Sequence, residues 1–193
     1  GQATLVSTRV GGGAVGLEHA DFPLHVVLVV HRHVSAHADA FAHHAAGDHL
    51  QARLGAQVRF VGAVGNDGFA DEALAGMREA AVELELGKGD ATGVAVILVD
   101  GAGENVIVVA PGANAQVGRV EAPGNVLAQL EVADETVLSA AQGAERFFLN
   151  AAPARTIPVE VVEAAELVVV NRYELDSLPV TPKLLALTLG EAG

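Results

Sequence analysis

The sequence has no cysteine, no tryptophan and only one tyrosine among its 193 residues. The absence of cysteine excludes disulfide bonds, thiolate metal sites and a cysteine nucleophile, and it fits a cytoplasmic protein. No apolar run reaches the roughly 20 residues that a membrane-spanning helix needs, and no signal-peptide pattern opens the chain. We therefore expect a cytoplasmic protein with no membrane partner.

Positive charge is also scarce. Eleven Lys and Arg residues stand against 24 Asp and Glu residues, so the formal net charge is −13. Nucleic-acid binding draws on clustered basic residues, and we therefore expect no nucleic-acid partner. An anionic cofactor such as ATP remains compatible with this charge, because backbone amides and helix N-termini bind phosphate without a basic patch.

The composition changes near residue 50. All eight histidines lie within residues 19–49, and none follows. We therefore divide the chain into an atypical His-rich segment, residues 1–50, and a more regular part, residues 51–193.

Two explanations of the His-rich segment stay open. In the first, the segment binds a metal such as Zn²⁺: His31 and His33 would share one face of a strand, and His44 and Asp48 one face of a helix. No known spacing of metal ligands is present, however. In the second, residues 1–50 derive from a shifted reading frame in a GC-rich gene.

The part after residue 50 alternates short apolar strands with helical segments, a pattern typical of parallel βαβ units. Two β-branched runs around a Gly-rich connector predict a β-hairpin over residues 93–110. The other predicted strands are Val58–Gly62, Leu127–Glu131, Arg146–Asn150, Leu167–Asn171 and Leu184–Leu189. The predicted helices are Phe69–Ala81, with Asp67 as its cap, Ala133–Ala141 and Val159–Ala165.

Ligands of open parallel sheets bind at the carboxyl ends of the strands. The polar or glycine-rich positions that fall at such ends are Glu131, Asn150, Asn171 and the turn Gly190–Gly193. These positions are the candidate binding residues.

Several short motifs follow one another in a recognisable order. They are Ala52-Arg53-Leu54-Gly55-Ala56, Val61-Gly62-Ala63-Val64-Gly65-Asn66-Asp67-Gly68-Phe69, the hairpin, Gln129-Leu130-Glu131, Asn150-Ala151-Ala152-Pro153-Ala154, Asn171-Arg172-Tyr173-Glu174 and Thr188-Leu189-Gly190-Glu191-Ala192-Gly193. In this order they resemble the ribokinase-like, or PfkB, family of carbohydrate kinases. The resemblance implies a three-layer α/β/α fold with a mostly parallel sheet, a small β lid at about residues 92–110, and the C-terminal part of the fold missing.

The resemblance also implies an activity, the transfer of the ATP γ-phosphate to a sugar. D-ribose, giving ribose 5-phosphate, is the expected sugar, because the hairpin and Gln-Leu-Glu segments resemble ribokinases more than nucleoside or fructose-phosphate kinases. Mg²⁺ and a monovalent cation such as K⁺ are the implied ions, and a homodimer through the lid is the implied assembly. By the same resemblance Glu131 binds the sugar and Glu174 organises Mg²⁺. The implied nucleotide-binding residues are Asn171, Thr188, Leu189, Gly190, Glu191, Ala192 and Gly193.

Most of these residues also have a simpler interpretation. Glu131 can be a solvated residue at a strand end. Asn171 can be a helix N-cap and Glu174 a carboxylate in the first helical turn. Residues 190–193 can be an untethered tail.

Some motifs of the family do not occur in this sequence. Residues 41–46 (Phe-Ala-His-His-Ala-Ala) stand where the family has Gly-Gly-Lys-Gly-x-Asn, and the Asn-x-Asp pair that binds the sugar is not present. The Gly-Ala-Gly-Asp motif, which supplies the anion hole and the general base, is also absent. We therefore assign no catalytic residue and expect a truncated or impaired kinase. The alternative is a non-catalytic sugar- or nucleotide-binding remnant that binds metal through its His-rich segment.

Overall fold

The computed structural model describes residues 4–5, 24–27, 31–35, 57–99 and 105–189, which form two β-sheets with flanking helices. The strands are β1 (Thr4–Leu5), β2 (Leu24–Val27), β3 (His31–Ser35), β4 (Val58–Gly65), β5 (Glu83–Gly89), β6 (Gly93–Val99), β7 (Asn105–Ala110), β8 (Asn125–Gln129), β9 (Arg146–Asn150), β10 (Leu167–Val170) and β11 (Leu184–Leu187). The helices are α1 (Gly68–Glu79), α2 (Asp134–Gly143), α3 (Val159–Ala164) and α4 (Arg172–Leu175), with a 3₁₀ helix at Gly112–Gln116.

The larger sheet is parallel throughout, in the order β1-β11-β10-β9-β8-β2-β4-β5. Helices α1, α2 and α3 connect successive parallel strands, as expected for βαβ units. The α/β fold with a parallel sheet, predicted from the alternating pattern, is therefore confirmed.

The helices cover both faces of this sheet. In β4, Val58 and Phe60 belong to the apolar cluster formed with α1, whereas Val61 belongs to the larger cluster formed with α2 and α3. Side chains of even and odd positions in a strand point to opposite faces. Helix α1 therefore packs on one face and helices α2 and α3 on the other, which gives three layers.

The smaller sheet forms a lid at the edge of the three layers. Strands β6 and β7 make the predicted hairpin, and β3 lies parallel to β6 on its other side. Exposed apolar side chains are concentrated here: Val96, Leu98, Ile107, Val108 and Val109.

The strands differ from the prediction in two informative ways. Strand β8 ends at Gln129, so Glu131 lies beyond the strand rather than in it. Strand β5 is absent from the prediction because five of its seven residues are Glu, Gly or Lys, which have low strand propensity. It is the edge strand of the larger sheet. Charged residues are common on such edges because they oppose pairing with another chain.

The structure bears on the predictions for residues 1–50 and for membrane-spanning helices. Strands β2 and β3 place parts of residues 1–50 in the two sheets. The metal-binding and reading-frame explanations of that segment stay predictions, since the rest of it lies outside the described residues. Among the helices that the structure describes, none is long and apolar enough to span a bilayer.

Candidate functional site

A cleft of about 470 Å³ lies between the lid and the carboxyl ends of β8 and β9. The lid side contributes Val109, Pro111 and Ala115, and the sheet side contributes Leu130, Glu131, Val132, Ala133, Asp134, Pro153 and Arg155. The cleft therefore occupies the end of the sheet where the strand pattern predicts a ligand.

Glu131 is the partly buried carboxylate of this cleft. The Gln129 side-chain amide donates a hydrogen bond of 3.1 Å to Glu131 Oε1. Burial raises the pKa of Glu131 above its ordinary value. Since a hydrogen bond to a charged acceptor is stronger where water is partly excluded, Glu131 is well placed to accept from hydroxyl groups.

Arg155 is the cation of the described cleft lining, and its own charge is already matched. Its Nη1 atom donates to Asp134 Oδ1 at 2.5 Å and to the Thr156 carbonyl at 3.1 Å. Its Nε and Nη2 atoms donate to the carbonyls of Leu130 and Val132. The guanidinium is therefore a structural part of the cleft wall, a role for which the sequence carries no local signal.

Asp67 connects the body of the protein to the start of the lid. Its Oδ1 atom accepts from the Phe69 and Ala70 amides at 3.1 and 3.2 Å, which confirms the predicted cap of α1. The Thr92 amide donates to Asp67 Oδ2 at 2.6 Å, and the Thr92 hydroxyl donates to Oδ1 at 2.8 Å. These hydrogen bonds from Thr92, with those of the cap, hold the pKa of Asp67 below its ordinary value. The Gly65 amide completes the junction by donating to Thr92 Oγ1 at 3.0 Å.

Asn171 and Glu174 form a reciprocal cap at the start of α4. Asn171 Oδ1 accepts from the Glu174 amide at 2.9 Å, and the Asn171 amide donates to Glu174 Oε2 at 2.7 Å. The Asn171 side-chain amide donates to Glu174 Oε1 at 3.0 Å. Both carboxylate oxygens of this buried residue therefore have protein donors, and the predicted N-cap is present.

Thr188 lies beside this cap. Its amide donates to the Val170 carbonyl at 2.8 Å, so β11 ends next to the end of β10. Thr188 and Asn171 are thus brought together, with Leu189 following, whereas Gly190, Glu191, Ala192 and Gly193 lie outside the described residues. Within the described part of the chain, no group of three or more His, Asp or Glu side chains is arranged to hold a metal ion.

Residues 24–184 match the sequence model of the pfkB family of carbohydrate kinases. The ribokinase of Schizosaccharomyces pombe (strain 972 / ATCC 24843) is 31% identical over 134 residues, which cover 61% of this chain and 42% of that protein. The chain therefore spans about two fifths of the length of this curated relative.

Solved ribokinase structures are among those that share the fold. Ribokinase from Giardia lamblia superposes with a TM-score of 0.69 at 20% identity, covering 90% of this chain and 71% of that one. Arabidopsis thaliana ribokinase complexed with ribose and ATP superposes with a TM-score of 0.66 at 20% identity, covering 85% and 64% respectively.

Proposed function

Because this chain belongs to the pfkB family of carbohydrate kinases, as its motif order predicts, we propose that its cleft binds a neutral sugar, D-ribose, for phosphorylation by ATP. The observation that carries the proposal is the position of Glu131, a half-buried carboxylate between the lid and the strand ends. The resemblance to a ribokinase over 134 residues supports ribose as the sugar.

The charges of the cleft favour a neutral sugar over a sugar phosphate. A phosphate group needs a cation with free donors, and Arg is the usual choice. In the described lining, Arg155 is paired with Asp134 and donates to backbone carbonyls. Glu131 would in addition repel a phosphate, whereas both of its oxygens can accept hydrogen bonds from sugar hydroxyls.

We place ATP at the neighbouring ends of β10 and β11, where Asn171, Thr188 and Leu189 lie and where Gly190, Glu191, Ala192 and Gly193 continue the chain. The fold shared with a ribokinase solved with ribose and ATP supports this placement. We also propose that the protein is located in the cytoplasm, because ATP is available there.

Mg²⁺ and a monovalent cation such as K⁺ are also part of the proposal. Glu174 fits an indirect role toward Mg²⁺, because both of its oxygens already accept from Asn171 and each retains a second lone pair for a water of hydration. When bound, Mg²⁺ would neutralise charge on the ATP phosphates. The reciprocal cap holds Asn171 and Glu174 in fixed positions at the start of α4.

A polypeptide of these 193 residues is expected to bind ribose without useful turnover. The sequence contains no Gly-Ala-Gly-Asp motif. A positioned base contributes roughly 10²–10⁴-fold to such a reaction, and loss of one anion-hole donor costs roughly 10²–10³-fold. A coupled ADP-release assay with ribose and Mg²⁺-ATP should therefore give a rate at least about 10⁴-fold below the roughly 1–100 s⁻¹ typical of kinases.

This assay, combined with a calorimetric titration of ribose, separates an active kinase from a chain that only binds the sugar. Titrations with adenosine and fructose 6-phosphate, run in parallel, test the choice of ribose over a nucleoside or a sugar phosphate. Turnover with ribose within about tenfold of an ordinary kinase would mean that another carboxylate of this chain acts as the base. Ribose binding without turnover supports the proposal as stated.

We further propose that two copies of the chain pair through their lids. Val96 and Val108 lie opposite each other in the hairpin and are 36% and 57% exposed. Apolar patches of this kind mark interaction surfaces. Val108→Glu should convert a dimer into a monomer in analytical ultracentrifugation, whereas Tyr173→Glu, at an 83% exposed site outside the lid, should not. A monomeric wild-type chain would refute the pairing.

A further inference from the structure

Arg155, from the loop after β9, holds the backbone on both sides of Glu131. Its Nε atom donates to the Leu130 carbonyl at 2.9 Å, and its Nη2 atom donates to the Val132 carbonyl at 3.4 Å. The first of these bonds has ordinary length and the second is long. The two carbonyls belong to the residues immediately before and after Glu131.

Other contacts also hold residues 130–132 in place. The Leu130 amide donates to the Ala152 carbonyl at 2.9 Å, which adds a second connection to the loop after β9. The side chains of Leu130 and Val132 are buried in the main core, with exposed fractions of 3% and 6%. Glu131 lies between two anchored neighbours, and it lines the cleft.

Arg155 is itself held in place. Its Nη1 atom donates to Asp134 Oδ1 and to the Thr156 carbonyl. Its side chain is only 27% exposed. A guanidinium has five N–H donors in a planar arrangement, which allows one side chain to contact several acceptors at once.

We propose that Arg155 is a positioning residue for Glu131: by holding the carbonyls on either side, it fixes the direction from which the carboxylate meets a ligand in the cleft. Its effect on sugar affinity rests on the proposed function. Hydrogen bonds weaken steeply when misaligned, so a site whose acceptor is already oriented binds more tightly than one that must be ordered on binding. Lysine cannot replace arginine in this role, since one ammonium cannot span the two carbonyls.

The test compares Arg155→Gln and Arg155→Lys with Arg146→Gln, all in the 193-residue chain. Arg146 makes an equivalent control because it is an arginine paired with Glu166 at 2.9 Å, but at the start of β9 rather than at the cleft. Calorimetric titration with D-ribose should show affinity about tenfold weaker in both Arg155 variants and unchanged in Arg146→Gln. Full rescue by lysine would show that charge alone matters and would overturn the proposal.

A second measurement needs no sugar. Backbone ¹⁵N order parameters of Glu131 and Val132 should be near the rigid value of about 0.85 in the wild type and should fall below about 0.6 in Arg155→Gln. Unchanged order parameters would overturn the positioning role whatever the sugar result. Absence of ribose binding in the wild type would instead refute the proposed function and leave the order parameters to decide the role of Arg155. If Arg155→Gln does not fold, Arg155→Lys serves for the same comparison.

Discussion

Replacing Glu131 with alanine is expected to weaken D-ribose binding by at least about 100-fold. Each hydrogen bond from a hydroxyl to a carboxylate contributes roughly 1.5–3 kcal/mol, and two such bonds correspond to roughly 10²–10⁴-fold in affinity. The partial burial of Glu131 places these bonds where water competes less. Isothermal titration calorimetry of the variant and the wild type measures the difference directly.

The matched control is Glu145→Ala, which removes an exposed carboxylate just before β9, at the opposite end of the strands. Its ribose affinity should equal that of the wild type. An equal loss in both variants would mean that overall charge, rather than the cleft, determines sugar binding. Unchanged affinity in Glu131→Ala would remove Glu131 from the site.

The stability of the Glu131 variants provides an independent check on the same residue. Because the pKa of Glu131 is raised in the folded protein, its contribution to stability is greatest below the ordinary glutamate pKa and is lost as the pH rises through the raised value. At neutral pH, Glu131→Gln should therefore be at least as stable as the wild type. A loss of binding without a loss of stability would identify Glu131 as a functional residue.

Replacing Gly65 with alanine is expected to destabilise the protein severely. A Cβ atom at this position would lie 2.3 Å from the Thr92 amide nitrogen and 2.4 Å from the Ala91 carbonyl carbon. Both are backbone atoms at the root of the lid, so the clash can be relieved only by moving the junction with Asp67. We expect a loss of about 3 kcal/mol or more, at the upper end of what overpacking costs, and a fall in Tm on the order of 10 °C.

Gly68→Ala is the control for this substitution. A Cβ atom at Gly68 would meet no other atom within 4 Å, and Gly68 is the first residue of α1. Since alanine favours helices more than glycine does, this variant should be as stable as the wild type or slightly more stable. Differential scanning calorimetry of both variants measures the contrast, and equal Tm values would show that the lid root tolerates a side chain at Gly65.

Local pattern was enough to predict most of the fold. Strand β9 was predicted with its observed bounds, and the hairpin appeared because β-branched runs flank glycines. Asp67 was predicted as a cap because an N-cap aspartate interacts with amides only two or three residues away. Strand β5 was missed because five of its seven residues are Glu, Gly or Lys, which have low strand propensity.

Contacts between distant residues were beyond the reach of the sequence. Thr92 lies 25 residues from Asp67, and Arg155 lies 25 residues from Leu130. No local spacing encodes such pairs, because they exist only after the strands have paired. The sequence therefore predicts individual site residues, whereas the hydrogen bonds that join distant segments around the site can be seen only in the folded structure.

The Asn-x-x-Glu motif illustrates a further limit. From sequence, Glu174 fits both a Mg²⁺ role and a first-turn carboxylate. The structure shows that its two oxygens accept from Asn171, which makes it part of a helix cap. Each of these oxygens retains a second lone pair, which fits the indirect Mg²⁺ role that we propose.

The most direct test of the central claim, that the cleft between the lid and the strand ends binds the sugar, is a ribose titration followed by ¹H–¹⁵N NMR. The account predicts shifts in the amide signals of Val109, Ala115, Glu131, Val132 and Ala133, which line this cleft. Shifts confined to Val120, Glu121, Ala122 and Ser139, in the second cleft of about 530 Å³ beside the start of β8, would contradict it. Absence of any shift at millimolar ribose would contradict it as well.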